Sequence, residues 1–225
     1  MITFDKVSKK FRVGTTGLDE ISFEIDTNEF VFLVGPSGAG KTTILKLLMR
    51  EYAPTSGSII VDDKDIASKK FRNIPALRRR IGIVFQDFKI LDNKNIFENI
   101  AISLKILGMG SHQIKKEVMN TLELVNLKSK ELLFPSQLSA GELQRVAIAR
   151  AIAGNRDIIL ADEPTGNLDP KTMWEIMKIF KKFEEKKTIV FATHNTDIVN
   201  SLKRRVITLK EGKIVKDSRK GGYDL

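Results

Sequence analysis

Short apolar runs punctuate the chain. Residues 2–4, 21–25 and 30–34 read as β-strands, and the third is unbroken enough to suit a buried parallel strand. It runs straight into Gly35-Pro36-Ser37-Gly38-Ala39-Gly40-Lys41-Thr42-Thr43, after which residues 44–49 take on a helical pattern. Strand, glycine-rich turn, helix is half of a βαβ unit. A second apolar run, 158–161, leads into Asp162 and Glu163, and Met173, Ile176, Met177, Phe180 and Phe183 follow at helical spacing. A third run, 188–192, ends at Thr193-His194. This alternation predicts a mostly parallel sheet with helices on its faces, and chemistry at the carboxyl ends of its strands. Between these blocks, from 87 to 153, the pattern is helical, with helices expected over 99–107 and 113–125; it reads as a helical lobe inserted into an α/β core. Residues 206–209 and 213–215 predict a hairpin around Glu211-Gly212.

With 225 residues, 42% hydrophobic and 29% charged, the composition is that of one soluble globular domain, not of a disordered or membrane-embedded chain. Lys and Arg number 38 against 28 Asp and Glu, a net charge of +10 that attracts polyanions: nucleoside triphosphates, nucleic acid or an anionic membrane leaflet. With no cysteine there is no disulfide, thiolate nucleophile or Cys-based metal site. No apolar run reaches the ~18 residues that span a bilayer, and the opening residues lack a secretory core, so a soluble or peripheral cytoplasmic protein is expected.

Gly35-x-x-x-x-Gly40-Lys41-Thr42 has the P-loop pattern. Its glycines let backbone N–H groups turn inward around phosphate oxygens, and the following helix offers its positive end. Lys41 reaches the outer phosphates and Thr42 can ligate Mg²⁺. Asp162 and Glu163 close an apolar strand, where successive side chains point opposite ways, so one carboxylate can face a metal and the other an attacking water. Taken alone, they also admit the reading of an Asp-Glu-Pro turn closing a strand. Ser139-x-x-Glu142 is by itself a capping box, and a capped helix end with Gly141 beside it is also a ready phosphate site.

The stretch Leu138-Ser139-Ala140-Gly141-Glu142-Leu143-Gln144-Arg145 closely resembles the signature of ATP-binding cassette (ABC) ATPases, and the resemblance covers nearly the whole chain in order. Phe11 matches the aromatic that stacks on adenine, residues 35–43 match Walker A, and Gln86 matches the Q-loop. Ser139, Ala140, Gly141 and Glu142 match the signature, 157–163 match Walker B, 166–169 with Asp169 match the D-loop, and His194 matches the switch histidine. Three positions depart from the usual pattern: Ala140 replaces a glycine, Leu143 stands where Gln is frequent, and Phe11 replaces Tyr. Ala140 is tolerable unless its backbone needs φ > 0.

The resemblance implies an ABC-type P-loop NTPase with an N-terminal antiparallel β part. Residues 1–86 and 154–225 form its core and 87–153 a helical subdomain. It implies ATP and Mg²⁺, with Glu163 as base, His194 on the γ-phosphate, and Thr42, Gln86 and Asp162 ordering the metal and its waters. Two copies pair head to tail around two ATPs. The match is closest within the cell-division branch, through residues 7–11, 77–88, 91–101 and 161–169. That branch implies an FtsX-like integral membrane partner, a site on the cytoplasmic face of the membrane at the point of division, and control of cell-wall hydrolysis. Phe85, Phe88, Leu91, Ile96 and Phe97 are candidate apolar contacts with the partner, and Lys69-Lys70-Phe71-Arg72, Arg78-Arg79-Arg80 and Lys203-Arg204-Arg205 are candidate contacts with anionic lipid. The motor of a lipoprotein, drug or solute transporter is the first alternative. A nucleic-acid-associated cassette is the second, although no specific nucleic acid is expected of a chain with one motif set.

Overall fold

The structure, a computed structural model, describes residues 1–12 and 14–223. In chain order, β1 (Ile2–Lys10), β2 (Thr16–Ile25) and β3 (Phe30–Val34) precede α1 (Lys41–Leu48), β4 (Ser56–Val61), β5 (Lys64–Asp65) and α2 (Ile74–Arg80). Then come β6 (Ile81–Val84), α3 (Ile96–Ile106), α4 (Ser111–Leu124), α5 (Ala140–Ile152), β7 (Ile158–Asp162) and α6 (Pro170–Lys181). β8 (Thr188–Thr193), α7 (Thr196–Leu202), β9 (Arg205–Lys210) and β10 (Lys213–Ser218) complete the chain. It divides into two compact units, residues 1–78 with 184–225, and residues 79–183.

In the first unit, β1 pairs antiparallel with β2 and β4, and β5 extends β4. The second sheet of this unit runs β10, β9, β3, β8, with β3 parallel to both β8 and β9. All five residues of β3 are buried, as are all six of β8, which is why both read as near-continuous apolar runs. Burial of each such side chain contributes roughly 1.5–3 kcal/mol. Phe32 and Phe191 meet edge to face in this core, ring centroids 5.4 Å apart.

The second unit sets parallel β6 and β7 among the helices α3, α4 and α5. α3 starts at a capping box between Asn95 and Glu98. Asn99 on its buried side is fully enclosed and fully bonded: its amide donates to the carbonyls of Leu91, Lys94 and Asn95, and its oxygen accepts from Leu91 N–H. The loop 91–95 is thereby stitched to the helix. Among the described residues no helix is long and apolar enough to cross a membrane.

Candidate functional site

The first unit assembles the glycine-rich turn, residues 35–40. β3 and β8 run in register with Val34 opposite Thr193, so Gly35 and His194 leave neighbouring strand ends side by side. Gly35 has φ 146°, and a β-carbon there would lie 2.2 Å from the Leu209 carbonyl oxygen, so only glycine fits. Gly40 has φ 110° and is the N-cap of α1, where it contributes no side-chain cap and lets the helix start directly from the turn. Lys41 is buried at the start of α1, and its ammonium donates to the carbonyls of Gly35 (2.7 Å) and Pro36 (3.2 Å). Thr42 beside it is exposed. The turn is thus held shut on its own lysine.

Phe11 lies against Gly17, where a β-carbon would meet its ring at 2.6 Å; the carbonyl of Gly17 would in turn stand 2.8 Å from a β-carbon on Gly40. The ring therefore sits one residue away from the phosphate turn. It packs edge to face with Tyr52, centroids 5.4 Å apart, and the Lys9 ammonium lies within 5.5 Å of both rings. Tyr52 carries no motif, and nothing in the sequence joins it to Phe11.

The second unit gathers the remaining candidates. β6 and β7 pair with Val84 opposite Ala161, so Gln86 and Asp162-Glu163 emerge from the same edge. Glu163 adopts a left-handed backbone, φ 46°, of the kind that persists only where the surroundings over-determine it and that concentrates at functional sites. Its carbonyl accepts from Gly166 N–H, and a β-carbon on Gly166 would stand 3.8 Å from the Glu163 β-carbon and 4.0 Å from the Gln86 amide nitrogen. Glu163 and Gln86 therefore converge on one turn. Asp169 ends that turn as the N-cap of α6, accepting from Thr172 N–H at 3.0 Å, and hydrogen bonds from the Thr172 hydroxyl and then its N–H hold its carboxyl below the usual range.

Ser139 and Ala140 are exposed at the start of α5. Ser139 and Glu142 form a capping box, and the Ser139 hydroxyl also donates to the Glu142 carboxylate at 3.1 Å. The Lys130 ammonium, joined by the N–H of Ser139, pushes the Glu142 carboxyl down to about 2. Ala140 is the first residue of α5 and has no positive φ, so its methyl group meets no backbone objection. Gly141 is different, since a β-carbon there would come within 2.5 Å of the Thr172 methyl group. Buried Gln144 of α5 donates to the carbonyl of Pro164, tying the signature helix to the turn after Glu163.

A recess of about 290 Å³ in the second unit is lined by Ile83, Phe85, Lys89, Ile102, Ile106 and Arg150. Ile106 is 60% exposed and Ile102 39%, two exposed apolar side chains that the sequence did not single out. Ile96, by contrast, is wholly buried in the core of its own unit. Of the basic clusters, Arg78 is bonded to the carbonyls of Met49 and Arg50, Arg80 pairs with Asp157, Arg204 with Glu184, and Arg205 with Glu29 and Asp217. Lys69, Lys70 and Arg72 are the exposed cations that remain in the first cluster.

The description "ABC transporter" matches residues 18–166. The cell division ATP-binding protein FtsE of Bacillus subtilis (strain 168) is 50% identical over 224 residues, 99% of this chain and 98% of its own. Two solved structures of the ATP-binding cassette MJ0796 superpose on it. The dimeric bacterial ABC transporter cassette has TM-score 0.90 and 34% identity, and covers 99% of this chain and 100% of its own. The dimer in a post-hydrolysis state, bound to ADP and Pi, has TM-score 0.87 and 32% identity over the same shares.

Proposed function

Since the chain belongs to the ABC transporter family, we propose that it hydrolyses ATP between two copies of itself and transmits the resulting opening and closing to an FtsX-like membrane protein that controls cell-wall hydrolysis during division. It is an ATPase subunit of the FtsE type, with a membrane permease as its general class of partner. The observation that carries the reading is the paired placement of functional residues at strand ends: Gly35 beside His194 in one unit, Glu163 beside Gln86 in the other.

The backbone N–H groups of residues 35–40 and the uncapped first turn of α1 bind the phosphates, and Lys41 turns from the Gly35 and Pro36 carbonyls to the outer phosphates. Thr43 and Pro36 to Ala39 complete this cradle, and Phe11 stacks on the base. Thr42, Asp162 and Gln86 would hold a Mg²⁺, directly or through water, and the ion would neutralise charge on the phosphate oxygens. Glu163 accepts the proton of the attacking water, and His194 donates to the γ-phosphate oxygens. Ser139, Ala140, Gly141 and Glu142 of one copy, with Asp169, close the site of the other. The γ-phosphate supplies charge-assisted bonds that favour closure only while it is present.

The apolar recess at Ile102 and Ile106 is the docking place for a cytoplasmic segment of the membrane partner, and exposed Lys69, Lys70, Arg72, Arg79 and Lys203 are the cations of the three clusters that face anionic lipid. The test is purification of the tagged chain from membranes in mild detergent with its FtsX-like partner, followed by phosphate release from Mg·ATP. Co-purification that is lost in Ile106→Glu, with hydrolysis by the isolated variant intact, is the expected result. Co-purification unaffected by that change would place the partner elsewhere.

A further inference from the structure

α5 begins with an acid in its first turn. Glu142 lies three residues from Ser139, where an uncompensated carboxylate would repel any phosphate brought to the same helix end. In this structure both of its oxygens are engaged. One accepts from the Lys130 ammonium at 2.5 Å, with the Arg145 guanidinium 3.9 Å away. The other accepts from Ser139 N–H at 2.9 Å and from the Ser139 hydroxyl at 3.1 Å. Arg145 is itself shared with Glu175, at 3.3 Å. The two acids and two bases cancel, and the positive end of the helix dipole is what remains.

Lys130 does not belong to α5. It ends a short 3₁₀ turn, 128–130, which is anchored through buried Leu127: the N–H of Lys130 donates to the Leu127 carbonyl, and Leu133 N–H donates to that of Lys130. Its side chain is 35% exposed and that of Glu142 17%, so the pair lies partly out of water, where a charge is screened less than on an open surface. The Ser139 hydroxyl is meanwhile tied to Glu142 and must swing away before it can donate to a phosphate.

We propose that Lys130 is a positioning residue for ATP-driven dimerisation: by carrying the charge of Glu142, it leaves the start of α5 net positive and lets the Ser139 hydroxyl exchange that carboxylate for a phosphate of the nucleotide held by a second copy. The proposal rests on the reading above that α5 closes on the nucleotide of the other copy. Lys130 acts through Glu142 and is not a catalytic residue.

The experiment measures the dimer dissociation constant with Mg·ATP by analytical ultracentrifugation in the hydrolysis-deficient Glu163→Gln chain. Lys130→Met is expected to weaken the dimer about tenfold, and ATP affinity of the monomer, measured by titration below the dimerisation range, to change less than about twofold. Lys130→Arg keeps the dimer. Adding Glu142→Gln to Lys130→Met recovers most of the loss, because a neutral amide needs no counter-charge; a purely structural role for Lys130 would show no such rescue. An unchanged constant in Lys130→Met, an equal loss in Lys130→Arg, or no recovery in the double variant overturns the proposal. Should Glu163→Gln itself stay monomeric with Mg·ATP, the dimer reading fails first and takes the Lys130 proposal with it.

Discussion

The Arg150 guanidinium donates to the carbonyl of Lys89 at 2.6 Å, across 61 residues of chain, and its other terminal nitrogen donates to the carbonyl of Phe88 at 2.8 Å. Phe88 and Lys89 both have left-handed backbones, φ 57° and 50°, which cost roughly 1–2 kcal/mol per non-glycine residue. Arg150 thus clamps a strained turn two residues beyond Gln86, at the rim of the recess assigned to the membrane partner. Burial pushes its guanidinium pKa down without discharging it. Arg150→Ala is expected to lower stability by about 2–3 kcal/mol in urea denaturation, as two hydrogen bonds to a charged donor are lost. Faster amide exchange should be confined to the segment after Gln86. Arg150→Lys, a point charge without the fork, recovers less than half of the difference.

Glu163→Gln removes the proton acceptor proposed above while preserving shape. ATP binding is expected to persist while turnover falls at least ~10²-fold, the low end for loss of a general base, and the dimer fraction with Mg·ATP rises in size-exclusion chromatography. Hydrolysis at the unmutated rate would show that another group activates the water.

Lys41→Ala removes the buried ammonium that lies on Gly35 and Pro36. Calorimetry should record ATP binding weakened by about tenfold or more, since a charge-assisted bond to phosphate is worth roughly 1.5–3 kcal/mol. The unfilled carbonyls should also loosen the turn, read as faster exchange of the 35–40 amides without nucleotide.

Glu142 makes the start of α5 sensitive to acid. Its folded carboxyl is depressed from 4.5 to about 2, so its contribution to stability is fully present above its unfolded value and is lost as pH falls through the folded one. Denaturation of the natural chain and of Glu142→Gln, followed from pH 6 to pH 2, should give a stability difference that is constant near neutrality and shrinks from about pH 4.5 downward. A difference independent of pH would mean that the charge of Glu142 contributes nothing.

The core motifs were legible because each was local. β3 was read at its true limits from five consecutive apolar residues, and the P-loop followed it without a gap. α1 begins at Lys41, three residues earlier than its apolar pattern, because Gly40 releases the helix directly from the turn. β1 runs on to Lys10, well past the 2–4 pattern; its outward polar residues and the positive φ of Lys6 break the alternation. What stayed hidden was pairing at a distance: Lys130 with Glu142, Phe11 with Tyr52, Arg150 with Lys89. No periodicity connects residues so far apart in the chain, and a lysine in a polar stretch looks like any other. The +10 charge was equally opaque, because Arg78, Arg80, Arg204 and Arg205 are internally bonded and only the fold reveals which cations still face outward.

The tight approach of Gly141 to Thr172 gives the two small signature residues opposite degrees of freedom. Position 140 has room for a methyl group, whereas at 141 the same methyl would act as a wedge, prising α5 from the α6 helix that Asp169 caps. Bulk is tolerated at the first of these neighbours and not at the second, so one side of the motif can be enlarged and the other cannot.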